Sequence, residues 1–123
     1  MNNRRVLIVD DEPDVVESVT YRLEIENIEC LKAADGAAGL KIAQETLPDL
    51  IILDVMMPKL NGYKVARALK QDERCRHIPI ILLTARSQAG DRMLGVDSGA
   101  NDYMTKPFDL DELTGKVLEY LGK

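Results

Sequence analysis

Three acidic residues close two apolar runs of this 123-residue chain: Asp10 and Asp11 follow Val6-Leu7-Ile8-Val9, and Asp54 follows Leu50-Ile51-Ile52-Leu53. Short continuous apolar runs of this kind read as strands buried on both faces. As neighbours in a parallel sheet, they would bring three carboxylates together at the carboxyl edge, where open α/β sheets bind ligands. Clustered carboxylates repel one another unless a cation sits among them. A hard divalent ion that prefers oxygen, Mg²⁺ (or Mn²⁺), is the natural occupant. Thr84 and Lys106 end two later strand candidates and add a hydroxyl and a cation. Together these groups describe a site for phosphoryl chemistry.

The elements that must position them alternate strand and helix five times, which implies a parallel sheet with helices on both faces. The first strand runs from Arg5 to Asp10. Pro13 then suits a first helical turn, with Val16, Val19 and Leu23 as an inward stripe and an end near Asn27. A second strand, Ile28 to Ala33, mixes Glu29 and Lys32 with apolar residues, and Asp35-Gly36 turns into a helix burying Leu40, Ala43 and Leu47. Pro48-Asp49 opens the third strand. After Asp54, the segment from Val55 to Gly62 is a long loop at the same edge, followed by a helix presenting Val65, Ala66 and Leu69. The fourth strand is Ile80 to Thr84, and a helix from Gln88 to Asp97 carries Met93, Leu94 and Val96. Gly99 ends that helix and admits a fifth strand, Ala100 to Thr105. The last helix has Asp109 as N-cap, Glu112 three residues on, and Leu110, Leu113, Val117 and Leu121 on one face.

Strands two and five carry polar residues and belong at the edges, which the doubly wound order 2-1-3-4-5 satisfies. Right-handed crossovers then put the first and last helices on one face and the middle three on the other. The topological switch point falls between strands one and three, where Asp10, Asp11 and Asp54 were placed by their own strand ends. Two independent arguments thus lead to one pocket.

Length bounds the chain to a single domain over 1–123. The longest apolar runs are far too short to span a bilayer, and Met1-Asn2-Asn3-Arg4-Arg5 lacks the pattern of a secretory signal, so a cytoplasmic protein with no membrane partner is expected. A net charge of −5, with no basic stripe, argues against direct nucleic-acid binding by this domain. Cys30 and Cys75 lack zinc or redox spacing and read as reduced thiols; His77, alone before Ile78-Pro79, reads as a polar residue at a strand entrance.

With these features in place, the chain resembles the receiver domain of bacterial two-component response regulators, the chemotaxis-type signalling fold. The likeness rests on Asp10-Asp11, on Asp54 in Ile52-Leu53-Asp54-Val55-Met56-Met57-Pro58, on Asn61-Gly62, Leu83-Thr84-Ala85 and Gly99-Ala100-Asn101-Asp102-Tyr103, and on Lys106-Pro107-Phe108. It implies that Asp54 is the phosphoacceptor, taking a phosphoryl group from a phosphohistidine of a sensor histidine kinase or phosphotransfer protein, or from acetyl phosphate. It further implies that Asp11, Asp54 and the Met56 backbone carbonyl hold Mg²⁺, that Asp10 acts through a bound water, that Lys106 supplies the cation, and that a cis bond before Pro107 aims it inward. Thr84 and Tyr103, with room left by Ala85, would form the switch. The output would be a downstream protein docking on the fourth helix, fifth strand and fifth helix. Met56 and Arg86 would flank the attacking water; neither is an obvious water activator, so slow self-dephosphorylation is expected. The chain would be a signalling switch whose only catalysis is its own phosphorylation and dephosphorylation. Lys116 and few other basic residues on the last helix leave phosphorylation-dependent dimerisation open.

Other functions fit less well. A haloacid-dehalogenase-type phosphatase would have its acids one residue apart after the first strand, and a flavodoxin would need a Ser/Thr/Gly-rich phosphate loop where this chain has Asp10-Asp11-Glu12-Pro13. A phosphorylation-independent pseudo-receiver scaffold is the alternative of a different class, although such scaffolds usually lack an acid or the lysine.

Overall fold

Residues 4–57, 60–85 and 98–122 are described by a computed structural model. The apolar runs form the expected strands: β1 (Arg5–Val9), β2 (Glu29–Ala33), β3 (Leu50–Asp54), β4 (Ile80–Ala85) and β5 (Asp102–Lys106). All pair in parallel, in the order β2-β1-β3-β4-β5. Side chains alternate between the two faces of a strand, so each strand feeds two cores. Leu7, Val9, Ile51, Leu53, Ile80 and Leu82 pack on one side, whereas Val6, Ile8, Leu50, Ile52, Ile81 and Leu83 pack on the other.

Four helices lie among the described residues: α1 (Pro13–Ile25), α2 (Gly36–Thr46), α3 (Gly62–Gln71) and α4 (Leu110–Tyr120). The helix expected at Gln88 to Asp97 lies outside the described residues, so the last helix of the chain is α4 here. α1 and α4 cover one face through Val19, Leu23, Leu113 and Val117, and α2 and α3 cover the other through Ala43, Val65, Ala66 and Leu69, as right-handed crossovers require.

Local chemistry fixes the helix starts. Asp35 accepts from the Ala38 amide, Asn61 from that of Lys64, and Asp109 from those of Asp111 and Glu112, so three helices carry the side-chain caps that orphan N-terminal donors need. Glu12, at the N-cap of α1, makes no such bond, and Pro13 occupies the first turn.

Some boundaries differ from the sequence pattern. α1 stops two residues before Asn27, which takes a left-handed φ of 63°. Leu47 is not buried: it is exposed at the C-cap of α2 with φ 50°. β5 begins at Asp102 instead of Ala100 because Asn101 is held by Ile80, its amide donating to the Ile80 carbonyl and its Oδ1 accepting from the Ile80 amide, each at 2.9 Å. Lys70 Nζ reaches the same Asn101 Oδ1 at 3.1 Å and also donates to the Arg76 and Ile78 carbonyls. This clamp fastens the start of β5 to α3 and β4. Cys30 and Cys75 are free thiols, and burial pushes Cys30 up to about 11. His77 is exposed in the turn before β4.

Candidate functional site

Strand register places the predicted groups on one edge. Val9 pairs with Leu53, Asp54 with Leu83, Thr84 with Thr105, and Ala85 with Lys106, so the residues at or just past the ends of β1, β3, β4 and β5 converge. Asp10 and Asp54 are buried, at 1% and 4% exposure, and Asp11 is exposed. One carboxylate oxygen from each of Asp10, Asp11, Glu12 and Asp54 lies within 4.8 Å of the others. Lys106 faces this cluster: its Nζ is 2.7 Å from Glu12 Oε1, 2.9 Å from Asp10 Oδ2 and 3.5 Å from Asp54 Oδ2. The Asp10 contact is an ion pair without hydrogen-bond alignment. The peptide bond from Lys106 to Pro107 is cis.

The electrostatics follow from this crowding. Burial, and then the charge of Asp10, push the Asp54 carboxyl up to about 7, against the opposing pull of Lys106. For Lys106, burial would lower the ammonium, but the hydrogen bond to Glu12 and the close charges of Asp10 and Asp54 outweigh it and hold Lys106 above the usual lysine value. Among the described residues, one cation against four clustered carboxylates is an incomplete balance. Hard oxygen donors in this number suit a divalent ion of the Mg²⁺ type, and the raised Asp54 carboxyl is the physical sign that the site favours added positive charge.

Two further features shape the pocket. Thr84 Oγ1 is buried and finds no hydrogen-bond partner among the described residues, an arrangement that costs free energy unless an acceptor arrives. At Gly62 the first turn of α3 runs against the end of β3: its amide donates to the Val55 carbonyl at 2.9 Å, and an added Cβ would collide with the Asp54 carbonyl oxygen and sit 2.9 Å from Val55 Cα.

The geometry therefore gathers Asp10, Asp11, Asp54, Thr84 and Lys106. Met56, next to the site in sequence, is exposed at 60%. Tyr103 and Ala85 are half-buried on the neighbouring strands. Arg86 lies outside the described residues, as do Pro58 and Lys59 of the loop. Sequence reasoning missed Glu12. The available signal was an acid at a helix N-cap, a position where the shorter Ser, Thr, Asp or Asn is preferred.

A model of the response regulator receiver domain matches residues 6–118. The chain belongs to the response regulator receiver family. It is 44% identical over 119 residues to the DNA-binding dual master transcriptional regulator RpaA of Synechocystis, an alignment covering 97% of this chain and 49% of that one. The receiver spans about half the length of the first curated relatives it matches. Among solved structures, the chemotaxis response regulator CheY4 of Vibrio cholerae superposes with a TM-score of 0.90 at 29% identity, covering 97% of this chain and 99% of that one. The receiver domain of a Pseudomonas aeruginosa sensor histidine kinase, solved with a magnesium ion coordinated in its active site cleft, gives 0.86 at 32% identity over 99% of this chain and 100% of that one. No helix among the described residues is long and apolar enough to cross a membrane.

Proposed function

We propose that this receiver, spanning 1–123 as one domain, is a phosphorylation-activated switch with Asp54 as phosphoacceptor. The observation that carries the reading is the convergence of Asp54, three further carboxylates and one lysine at a sheet edge beside an unsatisfied Thr84 hydroxyl. An Asp54 carboxylate oxygen attacks the phosphorus of a phosphohistidine on a sensor histidine kinase or phosphotransfer protein. The O–P bond forms as the P–N bond breaks, and the imidazole leaves with the electron pair. Asp11, Asp54 and the Met56 carbonyl would hold Mg²⁺, with Asp10 acting through water; bound there, the ion would supply neutralisation of phosphoryl oxygens and favour the ionised nucleophile. Lys106 pairs with a further phosphoryl oxygen.

The aspartyl phosphate then offers Thr84 Oγ1 the acceptor it lacks, adding charge where a bistable segment can respond. Thr84 moves toward the phosphoryl group, Tyr103 turns into the space beside Ala85, and the surface of β5 and α4, with the helix expected from the sequence at Gln88 to Asp97, is remodelled for a downstream protein. Met56 and Arg86, neither a water activator, leave the phosphoryl group long-lived. The receiver works inside the cell and binds no nucleic acid itself.

Intact mass after incubation with acetyl phosphate and Mg²⁺ tests the reading. A phosphoryl adduct that disappears in Asp54→Asn and on chelation supports it. No adduct, followed by none from phosphorylated histidine kinases, would leave a phosphorylation-independent scaffold.

A further inference from the structure

Glu12 is unusual among the four described N-caps. The other three cap residues turn their side chains back onto their own helices, whereas Glu12 makes no cap bond. Its backbone is nevertheless fixed, the amide donating to Asp10 Oδ1 at 2.9 Å and the carbonyl accepting from the amides of Val15 and Val16. The side chain extends across the site and meets Lys106 Nζ at 2.7 Å, the shortest of the three ion pairs that lysine makes there. Beyond this pair opens a cleft of about 590 Å³ between α1 and the Pro107-Phe108 turn, lined by Ser18, Ala85 and Leu110 among others. The Glu12–Lys106 pair stands at its rim, with Glu12 59% exposed.

The lysine that must serve an arriving phosphoryl group is thus already engaged by an anion outside the buried pair of aspartates. We infer that Glu12 is a positioning residue that tethers Lys106 in the resting receiver, competes with the phosphoryl group for it, and so slows phosphoryl acceptance. This rests on the reading of Asp54 as phosphoacceptor. Glu12 touches no reacting atom; it acts through Lys106. Transfer to Asp54 requires Lys106 to exchange Glu12 Oε1 for a phosphoryl oxygen, and the released Glu12 carboxylate swings into water.

Two substitutions separate the tether from simple repulsion of an anionic donor. Glu12→Gln removes the charge. Glu12→Asp keeps it, but the shorter side chain is a preferred N-cap and bonds the first-turn amides of α1 instead of reaching the lysine. Glu17→Gln, exposed on α1 and not among the residues lining the cleft shared by Glu12 and Lys106, has the same net charge as Glu12→Gln and serves as control.

The experiment follows adduct formation with acetyl phosphate and Mg²⁺ by intact mass, and the Lys106 ammonium ¹⁵N resonance in metal-free protein. Both Glu12 variants should accept the phosphoryl group roughly two- to five-fold faster than wild type, about the factor that breaking a half-exposed ion pair allows. Both should shift the Lys106 resonance, and Glu17→Gln should do neither. Acceleration in Glu12→Gln but not Glu12→Asp would replace the tether with long-range repulsion and overturn the inference. Unchanged rates in both, with wild type forming its adduct, would also overturn it while leaving the phosphoacceptor reading intact. An adduct in the Glu12 variants but none in wild type would show a tether strong enough to close the site. No adduct in any variant would overturn the phosphoacceptor reading, and this inference with it.

Discussion

Replacing Asp54 by asparagine should make the metal-free receiver more stable at neutral pH. In the unfolded chain this carboxyl titrates near 3.8, and in the native site burial and the charge of Asp10 push it up to about 7. A group whose native value is raised binds more protons in the folded than in the unfolded state between those values, so native stability falls as pH rises through this window. Well below the unfolded value of 3.8 both states are protonated and the residue contributes no difference. Above about pH 7 the penalty is fully present, roughly 4 kcal/mol at about 1.4 kcal/mol per pH unit. An amide is never ionised, although Lys106 and Asp10 readjust around it, so the expected net gain for Asp54→Asn is on the order of 2 kcal/mol at about pH 8. Urea denaturation across this range in the presence of a chelator measures it. Added Mg²⁺ should narrow the gap, because an ion that binds the native wild type stabilises it by mass action and the variant has lost a ligand. Equal stability of the two proteins at about pH 8 without metal, or a difference independent of pH, would refute the electrostatic account of the site.

Other substitutions probe the surroundings. Gly62→Ala drives a methyl into the end of β3 and should cost roughly 1–3 kcal/mol in denaturation midpoint terms, with slower adduct formation because the Asp54 backbone must shift. Met56→Asn places an amide able to orient water near the aspartyl phosphate and should hasten its decay several-fold in a mass time course; an unchanged lifetime would remove Met56 from that role. Tyr103→Ala should form the adduct normally yet weaken phosphorylation-dependent partner binding, measured by titration with and without acetyl phosphate.

The sequence was most readable where one physical force dominates. Val6 to Val9 and Leu50 to Leu53 are too continuously apolar to be anything but buried, so the positions of Asp10 and Asp54 follow from strand ends alone. The mixed polarity of Glu29 and Lys32 likewise put β2 at an edge, and the strand order then located the switch point. Legibility declined where a long side chain chooses among distant partners. Glu12 and Lys106 are 94 residues apart, and only the folded backbone shows that the glutamate reaches the lysine. Leu47 resembled the next residue of an apolar helical stripe, yet the helix ends there in a left-handed turn. Asn101 and Asp102 correctly marked β5 as an edge, but the side-chain bond of Asn101 to the Ile80 amide, which moves the strand start, leaves no periodic trace. The gathering of Asp10, Asp11 and Asp54 at one edge was thus readable before folding, whereas the part of Glu12 and the division of Lys106 among the acids were not.

The clamp of Lys70 on Asn101 sits at the end of β5 opposite the acidic site. Asn101 is fastened by two bonds to Ile80 and one to Lys70, whereas the other end of the strand finishes at Lys106, whose partners are the groups that phosphorylation would rearrange. If Asp54 is the phosphoacceptor, a strand anchored at one end and reorganised at the other would act as a lever with its fulcrum at Asn101. Displacements generated at the phosphoryl group would be largest near Thr105, diminish through Tyr103 and vanish at the clamp. The side of the molecule beyond that fulcrum would remain still while the switch moves.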